Sequence, residues 1–193
     1  MERFKLQTHR LVIRPLLPTD VNDFHLYRSN PEVTRYQGFD VMSLAEAEHF
    51  IQDNASKTFG KPGEWVQYAI ANKHSGKVIG DCALKLDTYD TRIAEIGITI
   101  SHLEQNKGFA KECLSAILEY LFEVKVLHRV VEIVDVENMP SIRLLKSLGF
   151  RLEGHFIENI FFKGKWGSEY QFAMLQSEWT QQKRNTHNTS DAD

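Results

Sequence analysis

Residues 93–124 read IAEIGITISHLEQNKGFAKECLSAILEYLFEV. An apolar strand, Ile93 to Ile100, runs into a polar loop, Gln105-Asn106-Lys107-Gly108-Phe109-Ala110. A helix starts there and carries Ala110, Cys113, Leu114, Ile117, Leu118, Leu121 and Phe122 at three-and-four spacing. Strand, glycine turn and helix start together make an anion site. The first backbone N–H groups of a helix have no internal partner, and the helix dipole adds partial positive charge at the same end. A phosphate fits there, and Gly108 lets the backbone approach it closely. The loop is no Walker A, because no Gly-Lys-Ser/Thr ends it. Its single glycine excludes the dinucleotide fingerprint. Taken alone, the pattern also fits a plain strand–loop–helix unit.

Outward from this stretch, the chain alternates strands and helices. Leu11 to Leu16 reads as a strand, and its proline suits an edge or a strand end. Pro18-Thr19-Asp20 opens a short helix through about Arg28, with Val21, Phe24 and Leu26 to bury. Asn30-Pro31 breaks it. Ser43-Leu-Ala-Glu46 is a capping box, and its helix is expected to reach about Phe59. Trp65 to Ala71 and Val78 to Leu86 read as a hairpin around Asn72-Lys-His-Ser-Gly76. Arg129 to Val136 is a β-branched run. Asn138-Met139-Pro140-Ser141 opens another helix, which Leu148-Gly149 closes. Phe150 to Phe162 and Gly167 to Leu175 form a last pair of strands. The order predicts an α/β fold: one mixed sheet of about seven strands with helices on both faces. The domain is expected over 1–179, with a polar, unstructured tail over 180–193.

Composition narrows the function. Of the 193 residues, 42% are hydrophobic and 25% charged, as in an ordinary globular domain. A net charge of −3 argues against a nucleic-acid surface. Cys82 and Cys113 sit in apolar patterns and read as reduced core residues. The eight histidines show no metal-ligand spacing, so no metal is expected. The start, MERFKLQTHR, has no apolar signal region, and no run approaches the ~20 apolar residues of a membrane span. The expected location is cytoplasmic, with no membrane partner.

Gln105-x-x-Gly108-x-Ala110 resembles the Q/R-x-x-G-x-G/A loop with which GNAT acetyltransferases hold the pyrophosphate of acetyl-CoA. Further blocks resemble the RimJ/RimL-like branch, the protein N-terminal acetyltransferases. They are Thr8-x-Arg10-Leu-x-Ile-Arg14, Asn30-Pro31, Ala94-Glu95-Ile96-Gly97 and Leu127-His128-Arg129. Asn138-x-x-Ser141-x-x-Leu144-Leu145 through Gly149-Phe150, and Phe161 to Trp166, complete the set. They run in order over residues 8–176. The resemblance implies a GNAT-like fold whose central strands splay apart and take the pantetheine arm of acetyl-CoA. Ile98, Thr99 and Ile100 would pair with that arm. Gln105, Asn106, Lys107, Gly108, Phe109 and Ala110 would hold the pyrophosphate, with Lys107 and Lys111 facing phosphates. Asn138 and Ser141 would lie near sulfur.

Glu95 stands where several GNATs carry a general base. A carboxylate on a buried strand is costly unless used or paired. Its alternative is a salt-bridged strand residue. Ser141 is expected to donate to the leaving thiolate, or to cap its helix. Many GNATs have a tyrosine acid where this chain has Leu145. Tyr36, Trp166 and Tyr170 fall in segments that line the acceptor side of the family, and are otherwise packing aromatics. The acceptor is expected to be a protein or peptide α-amine. The alternatives are a small amine, such as a polyamine, an antibiotic or an amino acid, and a non-catalytic acyl-CoA-binding module. The protein is expected to be a monomer or a homodimer.

Overall fold

The computed structural model describes residues 4–190, with side chains through 185. The strands are β1 (Leu6–Gln7), β2 (Leu11–Pro15), β3 (Val66–Asn72), β4 (Val78–Leu86), β5 (Ile93–Ile100), β6 (Arg129–Asp135), β7 (Arg151–Phe162) and β8 (Lys165–Leu175). They form one eight-stranded sheet in the order β1-β2-β3-β4-β5-β6-β8-β7. The helices are α1 (Val21–Arg28), α2 (Pro31–Thr34), α3 (Leu44–Asn54), α4 (Phe109–Glu119), α5 (Met139–Ser147) and α6 (Gln176–Ser190).

Period-two alternation sorts each central strand between two layers. Ala94, Ile96 and Ile100 of β5 join Cys113, Leu114, Ile117 and Leu118 of α4 in one buried cluster. Leu16, Phe24, Tyr27, Ala47 and Ile51 form a second under α1 and α3. Helices therefore cover both faces, as the element order requires. After Glu119 the helix widens to π geometry over Tyr120–Val124, which keeps Leu121 and Phe122 buried.

The strands that matter most are β5 and β6. They run parallel, as expected of a strand–helix–strand step, but pair only at Ile93↔Arg129, Ala94↔Val130 and Glu95↔Val131. Beyond that rung, β5 stays paired with β4 as far as Ile100↔Gly80, and β6 with β8 as far as Asp135↔Glu169. A gap therefore opens between them toward their C-terminal ends. At Gly80 a Cβ would come 2.3 Å from the Thr99 carbonyl oxygen, so only glycine lets β4 lie this close beside β5.

The structure corrects the sequence reading at several points. The sheet gains the short edge strand β1. The capping box at Ser43 forms, but α3 stops at Asn54, short of Phe59. Leu26 is exposed, while Tyr27 and Arg28 are buried. The reason is Asp81, fully buried on β4, which takes Arg28 Nη2 at 2.5 Å and the Tyr27 hydroxyl at 2.7 Å. A buried carboxylate makes room for a buried guanidinium. The tail is also corrected. Polar as it is, the segment from Gln176 is helical through Ser190. Trp179 packs on Phe122 and donates to Glu123 at 2.9 Å, and Lys183 pairs with Glu119 and Glu123. One aromatic and two ion pairs dock it, which an apolar-periodicity reading does not detect. Residues 191–193 of the expected tail lie outside the described residues.

Candidate active site

The loop after β5 is built from its own backbone. Asn106 and Gly108 both have positive φ, 60° and 81°. Gly108 is the N-cap of α4 and has no side chain to satisfy the helix's first N–H groups. The left-handed residues curl the loop into a concavity in which amide groups can converge on an anion. Gln105 ties it to the strand by donating to the Ile100 carbonyl at 3.1 Å. Arg10 braces it from outside. Its Nη1 donates to the Lys107 carbonyl at 3.0 Å, its Nε to Glu112 at 2.6 Å, and its guanidinium lies 4.4 Å over the Phe109 ring. Arg10 and Glu112 are 102 residues apart, so sequence spacing gave no sign of the contact.

A cavity of about 570 Å³ lies over this loop. Its lining includes Ile98, Thr99, Ile100, Gln105, Asn106, Gly108, Phe109, Ala110, Asn138 and Ser141. All of these came from the sequence as acetyl-CoA residues. Lys107 is the exception. Its ammonium turns to Glu104 at 3.0 Å, an i,i+3 pair, and does not line the cavity. Lys111 and Arg143 do line it, and neither forms an ion pair with a described residue. Arg143 was not singled out from sequence, because an arginine on a polar helix face carries no local signal. Asn138, not Ser141, caps α5: its side chain accepts from the Ser141 N–H at 3.3 Å. The Ser141 hydroxyl bonds to no described residue.

A second cavity, about 610 Å³, opens on the other side of the gap. Ile98 and Thr99 line both cavities. Glu95, Asp135 and Glu169 line the second, with Tyr36, Phe39, Trp65, Ile160 and Phe162. Glu95 is one-quarter exposed and pairs with Lys85, its cross-strand neighbour, at 2.5 Å. Asp135 and Glu169 form no ion pair with a described residue. Arg28 also reaches this cavity, but Asp81 neutralises it.

Two of the three expected acceptor aromatics fall elsewhere. Tyr36 lines both cavities. Trp166 stacks edge-on against Phe161, and Tyr170 packs on His155 and Phe172. On β8 the cavity takes Lys165, Gly167 and Glu169. Alternation puts Trp166 and Tyr170 on the opposite face. Leu145 is fully buried in the core, where it supplies no acid. Among the described residues no group of His, Cys, Asp or Glu could hold a metal, and no helix is long and apolar enough to cross a membrane.

A loop with outward amides, an unpaired strand edge beyond Glu95 and two cations with no ion-pair partner among the described residues suit a phosphate-bearing ligand with an extended arm. Comparison with known proteins agrees. The family model of the acetyltransferase (GNAT) domain matches residues 10–151. The chain is 31% identical to the uncharacterized N-acetyltransferase p20 of Bacillus licheniformis, over 90% of this chain and 97% of that one. A GNAT-family acetyltransferase from Bacillus anthracis superposes with a TM-score of 0.81 at 27% identity, covering 91% of this chain and 100% of the other. Spermidine N-acetyltransferase from Vibrio cholerae, solved with CoA and spermine, superposes at 0.75 with 26% identity, covering 90% and 99%. With its fold, its loop and its relatives in agreement, this chain belongs to the GNAT acetyltransferases, whose acetyl donor is acetyl-CoA.

Proposed function

We propose that this protein transfers the acetyl group of acetyl-CoA directly to a primary amine. The donor would lie over the Gln105–Ala110 loop and the acceptor in the Glu95 cavity. The observation that carries this is the gap between β5 and β6, because Ile98 and Thr99 on its β5 edge line both cavities. In this reading the neutral amine attacks the thioester carbonyl across the gap. A backbone N–H of Ile98 to Ile100 stabilises the tetrahedral oxyanion. Glu95 takes the amine proton after parting from Lys85, and the Ser141 hydroxyl steadies the sulfur. No enzyme-bound acetyl group is needed, since both cysteines are buried and lie outside the two cavities.

The finer reading of the acceptor is a peptide or protein α-amine. Its pKa near 8 makes deprotonation at neutral pH cost only about 1.2 kcal/mol, against about 4.6 for a lysine amine, so a partly engaged base suffices. A second reading has its own support. Asp135 and Glu169 place two further carboxylates beside Glu95, and a short polyamine offers a cation to each. The spermidine acetyltransferase likeness favours it too. Rates with acetyl-CoA against spermidine, spermine and a set of N-terminal peptides separate the two. Turnover with peptides alone rejects the polyamine, turnover with polyamines alone rejects the peptide, and CoA binding without any turnover rejects the transferase reading.

A further inference from the structure

We propose that Glu132 is the acid that protonates the departing CoA thiolate. This rests on the transferase reading above and assigns a residue that neither the loop nor the acceptor cavity accounts for.

Glu132 is the first residue of β6 past the last rung with β5, Glu95↔Val131, where the gap begins. It is 5% exposed, and its Oε2 is buried with no hydrogen-bond partner. Buried side-chain oxygens left without a partner are rare in folded proteins and call for an explanation. Its neighbours Val130 and Val134 on the same face are core residues, and Phe172 stands directly across on β8. Ile133 and Asp135, one and three residues further along β6 and so on its other face, line the acceptor cavity. Glu132 therefore stands at the gap on the face covered by α4 and α5, and Glu95 on the face of the acceptor. Burial, and then the charge of Glu95, push the Glu132 carboxyl up to about 8. At neutral pH it holds its proton. A thiol has a pKa near 8.5, so transfer from this acid to a thiolate is close to thermoneutral, the condition under which general acids work best.

The step balances. The amine nitrogen forms a bond to the carbonyl carbon and gives one proton to Glu95. The C–S bond breaks, sulfur keeps the electron pair, and the Glu132 proton goes to it. Free CoA thiol and the amide leave. One proton then passes from Glu95 to Glu132 through the gap, and both carboxyls regain their starting states. Two carboxyls in unlike surroundings, Glu132 buried without a partner and Glu95 paired with Lys85, divide the acid and base roles between them.

Three measurements on the full chain test this. In Glu132→Gln, kcat should fall about 10²-fold or more, while the acetyl-CoA Kd from calorimetry stays within about threefold. The wild-type rate should decline above about pH 8 as the acid is lost, and that limb should be missing from the variant. The third readout needs no turnover. Between pH 4.5 and about 8 the folded chain keeps a proton that the unfolded chain has released, so stability falls as pH rises through that window. The wild-type Tm should therefore drop more from pH 5 to 8 than that of Glu132→Gln. A variant with kcat within about threefold of wild type, or one that keeps the alkaline limb, overturns the assignment. A purely structural Glu132 would move Tm and leave the limb in place. Should Glu132→Gln not fold, Glu132→Asp withdraws the acid by one methylene and should cost about tenfold or more in kcat. If neither spermidine nor an alanine-terminated peptide is acetylated by wild type, the acceptor reading fails separately. The slow hydrolysis of bound acetyl-CoA, in which the same thiolate leaves, then supplies the wild-type to variant ratio.

Discussion

The two cavities share Tyr36, Gln37, Ile98 and Thr99 but are made differently. The donor cavity rests on three continuous segments: the end of β5 with its loop and the first turn of α4, α5 with its N-cap, and Glu32 to Gln37. Much of it is backbone: two left-handed residues, a helix start and a strand edge. The acceptor cavity draws side chains from β3, β4, β5, β6, β7, β8 and the segment around Tyr36 to Phe39. A backbone site tolerates many sequences provided its dihedrals are kept. A side-chain site takes its specificity from whichever residues the fold brings together. The donor side can thus be shared widely in a family while the acceptor side varies.

The largest expected effect tests whether the acceptor wall depends on its buried ion pair. Asp81 holds Arg28, Tyr27 and Gln67, so Asp81→Ala leaves a guanidinium buried without its partner. A loss of about 3–5 kcal/mol in unfolding free energy is expected by denaturant titration. A loss below about 1 kcal/mol would show that Arg28 escapes to water and that the wall does not need the pair.

Next is Glu95→Gln, which keeps shape on the acceptor side and removes the proton acceptor. With an acceptor established, kcat should fall about 10²-fold near neutral pH and recover in part as pH rises, because the amine then arrives neutral. The acetyl-CoA Kd should hold. Wild-type kcat across the pH range would leave Glu95 only its pairing with Lys85.

Gly108→Val probes the donor side. A β-branched residue at φ 81° costs about 1–2 kcal/mol, and its Cβ would come into contact with Arg10 at 3.4 Å. The loop should relax to another shape, with acetyl-CoA affinity down about tenfold in calorimetry and little change in Tm. Unchanged affinity in a folded variant would show that the loop does not hold the pyrophosphate.

The smallest effect refines the acceptor reading. Asp135→Asn with Glu169→Gln should raise the KM for spermidine several-fold, within the ~0.2–1 kcal/mol of each solvent-accessible charge contact, and leave a peptide's KM alone. Equal shifts for both would remove the polyamine argument.

Much of the donor side was legible because it is local. Gly108 after an apolar strand and before a periodic helix marks the turn at which α4 starts, and β5 begins and ends where its sequence says. Asn138 two residues before Pro140 likewise marks a helix start. The side chain of Lys107 was not legible, because a lysine turned to a phosphate and a lysine paired with Glu104 look alike until the loop's curl is known. On the acceptor side, aromatic identity suggested Trp166 and Tyr170, but strand register turned both to the far face. One residue of register reverses every side chain on a strand, and no local pattern in β8 reveals it.

The sequence by itself determined the family, the order of the central strands and helices and the glycine turn that starts α4, because apolar periodicity, turn residues and helix caps act over a few neighbouring residues. Only the tertiary structure decided that Arg28 is buried, that α6 docks through Trp179 and Lys183, and that Arg10 braces a loop about a hundred residues away. It also decided where β5 and β6 part, leaving Glu95 and Glu132 at the head of the same gap. These depend on desolvation and on contacts between distant segments. Their energies exist only once the chain has closed on itself.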